Sequence, residues 1–124
     1  MPMSVFAKPP SSPAVWSLSV CLLFVQLAPA NAGDADDRHA AVAALGELNG
    51  VALQCRYLDL VRRMKQAVVD HAPKERSFGL AFDQATNEAF LAFARNAGVC
   101  PTPVTLASQV DEGVARVAAA FTAQ

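Results

Sequence analysis

From Val42 to Phe121 the apolar residues of this chain recur three and four positions apart, and no run alternates convincingly with period two. That spacing predicts helices throughout and leaves no place for a sheet. Val42, Leu45, Leu48 and Ala52 make the first stripe. Leu53, Tyr57, Leu60, Met64 and Val68, flanked by Val61, make a second between Val51 and His71. Phe78, Phe82, Ala85, Ala89 and Phe93 make a third over residues 74–95, widened by Phe90 and Leu91. Its alternation of large and small side chains suits interdigitated packing. Leu106, Val110, Val114, Val117 and Phe121 make the last.

Punctuation between the stripes sets the expected boundaries. Gly33-Asp34-Ala35-Asp36-Asp37 reads as a solvated lead-in, with Asp36 or Asp37 capping the first helix. Asn49-Gly50 interrupts good helix formers at about 1 kcal/mol relative to alanine. It is taken as a bend or break between two helices. The alternative keeps it inside one helix, where Gly46 and Gly50, four apart, clear a groove for a close neighbour. Ala72-Pro73 ends the second stripe, because proline disfavours the helical conformation in the residue before it. Arg95-Asn96-Ala97-Gly98 stops the third, with Gly98 expected in the left-handed cap conformation. Thr102 followed by Pro103 is a strong start signal for the last helix. The expected fold is all-α, a small bundle of three to four helices closing on one core and stapled by one disulfide.

The staple follows from the N-terminal region. One cation, Lys8, precedes the apolar run Val20-Cys21-Leu22-Leu23-Phe24-Val25, and Ala30-Asn31-Ala32 has the small-x-small pattern of a signal-peptidase site. Residues 1–32 are therefore read as a secretory signal peptide, and residues 33–124 as a single helical domain. Leu18-Ser19-Val20-Cys21 loosely resembles a lipobox, although Val20 fits it poorly, and an uncleaved anchor would lie near the lower length limit for a span. Cleavage after Ala32 is the reading adopted, with a periplasmic or secreted product and no membrane span afterwards. Cleavage takes Cys21 away and leaves Cys55 and Cys100, an even count in an oxidising compartment. A domain of about 92 residues buries only roughly 60–65% of its unfolded surface, so a bond between them matters.

Charge narrows the partners. The domain carries two more carboxylates than cations, which gives no field to gather nucleic acid or anionic lipid. The mean hydropathy of +0.27 is raised by the leader and by alanine. Asp59 lies within pairing range of Arg62 and Arg63, and Glu112 and Arg116 are ordered as a favourable helical pair. Arg56, Arg62, Arg63 and Lys65 form two cationic rows suited to an acidic partner or a lipid headgroup. They are read mainly as a solvated helix face. Asp34, Asp36, Asp37 and His39 could grip a cation only if a solvated lead-in were ordered, so no metal is expected, and no cofactor. His71 near a helix end is read as favouring the negative pole of the dipole. There is no Ser–His–Asp set, phosphate cradle or zinc spacing, and Asp111 and Glu112 splay apart on a helix. An enzyme is not expected.

The function expected is a non-catalytic periplasmic binding or accessory module acting on an unknown protein partner in the cell envelope. The contact is sought around Gly46, Asn49 and Gly50 and on the cations Arg56, Arg62, Arg63 and Lys65. The alternative is an acid- or stress-responsive periplasmic chaperone. Small exported helical proteins with one disulfide include such chaperones, an analogy of size and architecture alone. In acid the domain becomes strongly cationic, which favours partial unfolding.

Overall fold

The computed structural model describes residues 30–122, and the expectations for the leader lie outside them, apart from its last three residues. Four helices follow one another: α1 (Ala30–Gln54), α2 (Leu58–His71), α3 (Arg76–Arg95) and α4 (Pro103–Thr122). The domain is an all-α bundle, as the apolar spacing predicted, with the one disulfide expected from the cysteine count. Among the described residues no helix is long and apolar enough to cross a membrane.

The central element is α1, which packs on each of the other three, while α2 also packs on α4. Gly46 faces Phe82 and Ala85, and Gly50 faces Thr86, Ala89 and Phe90, so α1 and α3 run parallel. Arg38 reaches Ala120 while Leu45 and Leu48 meet Gly113, so α4 runs antiparallel to α1. The core buries Val42, Leu45, Met64, Leu106, Val110 and Val117 completely or nearly so. These come from three of the predicted stripes. The third stripe adds Phe78, Phe82 and Ala85, but Phe90 and Leu91, expected to widen it, lie at the surface, 37% and 39% exposed.

Several boundaries differ from expectation. α1 runs unbroken through Asn49-Gly50 and starts at Ala30, so Asp36 and Asp37 are exposed helical residues rather than caps. The break falls later, at Cys55-Arg56-Tyr57. There the Tyr57 N–H donates to the Ala52 carbonyl and the Arg56 N–H to the Leu53 carbonyl, with Arg56 at φ 60°. This is the Schellman helix end, with arginine where glycine is usual. α3 ends in the same way. The Gly98 N–H donates to the Phe93 carbonyl, the Ala97 N–H to the Ala94 carbonyl, and Ala97 rather than Gly98 takes the left-handed conformation, at φ 48°. Gly98 is needed for space, because a Cβ there would stand 2.6 Å from the Phe93 ring. α4 starts as predicted: the Thr102 hydroxyl oxygen accepts from the Thr105 N–H at 3.2 Å, and Pro103 is the first helical residue.

Two clamps close the ends of the bundle. At one end Cys55 and Cys100 are joined, with their Cα atoms 5.6 Å apart. The Tyr57 hydroxyl donates to the Pro101 carbonyl beside them at 2.7 Å. At the other end the His39 ring stacks on Phe78 at 4.4 Å, and Phe78 meets Phe121 edge-on at 5.0 Å. The Arg38 guanidinium donates to the Ala120 carbonyl at 3.1 Å and lies over the Phe121 ring. A cation there also opposes the negative pole of α4.

Candidate functional site

The structure divides the sequence-predicted contact residues into two groups. Gly46, Asn49 and Gly50 are buried in the domain. A Cβ at Gly46 would lie 2.6 Å from the Phe82 carbonyl oxygen, and one at Gly50 would lie 2.5 Å from that of Thr86. The glycines therefore let two helix backbones approach each other, an internal packing role that removes them from any surface. Asn49 lies beside them, only 1% exposed, and its amide donates to the Thr86 hydroxyl at 3.2 Å. Its Oδ1 has no protein partner.

Arg56, Arg62, Arg63 and Lys65 are all exposed. Asp59 pairs with Arg62, while Arg63 reaches across to Asp111 of α4 instead of Asp59. Both pairs are well solvated, and each contributes about 0–1 kcal/mol. The predicted Glu112–Arg116 pair does not form; the two ion pairs above are the only ones among the described residues. Arg56 and Lys65 are thus uncommitted cations. His39, placed with the acidic lead-in by the sequence, spends its ring on Phe78 and its Nδ1 on the Ala35 carbonyl at 2.8 Å.

Around Arg56 the fold assembles what sequence spacing did not reveal. The start of α2 and the start of α4 enclose a hollow of about 450 Å³, lined by Arg56, Tyr57, Leu58, Pro103, Val104 and Ala107 among others. Leu58 is 59% and Val104 81% exposed, and Val99, next to Cys100, is 90% exposed. Leu58, Arg62, Lys65 and Val69 follow one another at spacings of four, three and four along α2, and all are exposed. Cations and uncovered apolar side chains therefore share the disulfide end and the outer side of α2. Leu58 and Val104 are 46 positions apart, and the packing of α2 on α4, the disulfide and the Tyr57–Pro101 hydrogen bond together bring their helix starts close.

No known protein family, curated protein or solved structure matches the chain.

Proposed function

We propose that the chain is a small exported, non-catalytic binding or accessory protein that receives an acidic, partly apolar segment of a protein partner in the cell envelope. The surface that does so is the disulfide end, with Arg56 as its anchor and Leu58 and Val104 as its apolar contacts. The observation that carries this reading is Arg56, exposed at the rim of the hollow on a fixed helix-end turn. An L-residue in the left-handed region costs about 1–2 kcal/mol, and such outliers cluster at functional sites. Arg56 holds φ 60° without an ion pair among the described residues, exposed beside an apolar hollow. Its cost is met by the Schellman hydrogen bonds of Arg56 and Tyr57, as at Ala97; what sets Arg56 apart is that this fixed turn carries a cation with no ion pair among the described residues, beside the hollow.

Export enters this proposal through Ala30-Asn31-Ala32. Cleavage after Ala32 trims three residues from α1 and leaves Asp34, Asp36 and Asp37 in its new first turn. There carboxylates favour the positive pole of the helix.

The test is affinity capture from the native envelope with the tagged, oxidised protein and its Arg56→Gly and Leu58→Asp variants. A single stoichiometric partner lost from both variants, with Arg56→Gly at least as stable as the parent, is the expected result. A partner retained equally by all three proteins would refute the surface. A broad set of clients bound only in acid would replace the accessory role with the chaperone one.

A further inference from the structure

The face of the molecule formed by α3, α1 and α4 supports a second docking site, chemically opposite to the first. α3 and α4 lie on different flanks of α1, since Gly46 and Gly50 turn toward α3 while Arg38, Leu45 and Leu48 turn toward α4. The three helices form a layer, with α2 packed behind it on α1 and α4. The other side of this layer is uncovered among the described residues. Its centre is the α1 strip Ala40, Ala44, Glu47 and Val51, spaced four, three and four apart. Two shallow hollows run between this strip and α3 and two between it and α4. They share Ala40, Ala44 and Glu47, so they make one continuous face.

The floor is built largely of alanine, with Ala81, Ala85 and Ala92 on the α3 side and Ala119 and Ala120 on the α4 side. Side chains this small let another helix approach at the short end of the usual separation of about 8–10 Å. Four carboxylates line the face, Asp37, Glu47, Glu88 and Glu112, against one cation, Arg116. None of these five groups is in an ion pair among the described residues. From Asp37 to Val51 the strip is about 21 Å long, four turns of helix.

We propose that this face docks an amphipathic helix of a partner protein, about four turns long, with small or aliphatic residues along one side and Lys or Arg along its borders. Charge selects this occupant. A second copy laid face to face would bring Glu47 toward its twin, and an anionic bilayer would be repelled by the same carboxylates. A basic helix relieves the excess negative charge and covers the alanine floor in one step.

The probe is a synthetic 15-residue helical peptide with Ala and Leu along one side and Lys on both borders. A scrambled peptide of the same composition and a version with Glu in place of Lys are the controls. Each is titrated into the isotope-labelled protein with its disulfide intact, and amide shifts are followed by NMR. The lysine peptide is expected to bind at least tenfold tighter than either control. Its shifts should be confined to the α1 strip and the adjoining flanks of α3 and α4. Glu47→Lys, at an exposed position, should weaken binding tenfold or more, and Lys65→Glu, on α2, should leave it unchanged. Equal binding of the scrambled peptide, shifts centred elsewhere or indifference to Glu47→Lys would each overturn the proposal. So would concentration-dependent self-association through this face, which would assign it to a second copy.

Discussion

Gly50 and Gly79 are both helical glycines, and alanine at either gains about 1 kcal/mol of helix propensity. Their surroundings give the substitution opposite signs. A Cβ at Gly50 would stand 2.5 Å from the Thr86 carbonyl oxygen and 2.7 Å from the Phe90 nitrogen, backbone atoms that cannot rotate away. At Gly79 nothing lies within 4 Å. In urea unfolding, Gly79→Ala should therefore add about 0.5–1 kcal/mol, while Gly50→Ala should remove about 1–3 kcal/mol. Ala97 offers a second single-residue test. Glycine there relieves about 1–2 kcal/mol of left-handed strain and returns part of it as unfolded-state entropy, for a net gain of about 0.5–1 kcal/mol. Arg56→Gly should gain a similar amount, and under the proposed function that gain comes with lost binding. Thr86→Val keeps the shape but strips the buried Asn49 amide of its acceptor. It should cost about 1–3 kcal/mol in the same measurement.

At the scale of elements, what could be read in advance was what local chemistry determines. α4 was legible because Thr102 and Pro103 act on their own neighbours, and α2 stops beside Ala72-Pro73 for the same reason. α1 was misjudged at Asn49-Gly50 because the local cost of glycine is outweighed by a tertiary gain: the gap it leaves is filled by the α3 backbone. Its true end at Arg56 carries no glycine signal, so neither the helix boundary nor the strained cation was visible. The hollow beside it joins residues far apart in the chain and was hidden for that reason, although Arg56 itself stood out as a cation. The cysteine pairing was legible once Cys21 was assigned to the leader. It closes a loop of 45 residues, for which the chain-entropy relation gives about 4 kcal/mol. Paired denaturation curves with and without reductant should show a loss of that order. Amide hydrogen exchange followed by NMR in the reduced protein should show the largest loss of protection near the starts of α2 and α4.

For the molecule as a whole, the two end clamps are the quantities to weigh against total stability. A domain of this size has about 5–10 kcal/mol to lose. Reducing the disulfide removes about 4 kcal/mol. Phe121→Ala strips the edge contact to Phe78 and the ring under Arg38, and at a half-buried phenylalanine this costs about 2–3 kcal/mol, somewhat below the fully buried value. The helix from Pro103 to Phe121 separates the two sites by about 27 Å, far enough for their effects to add. Either change alone should therefore leave a folded helical protein at 25 °C, and the two together should bring the domain to the edge of unfolding or past it. Far-UV circular dichroism of the four samples, oxidised and reduced, with and without Phe121→Ala, reads this directly. Retention of full helicity and a sharp thermal transition in the reduced Phe121→Ala protein would mean that the α1 contacts at Gly46 and Gly50 hold the bundle without either clamp. The parallel α1–α3 pair would then be the independent folding unit, with α2 and α4 added to it.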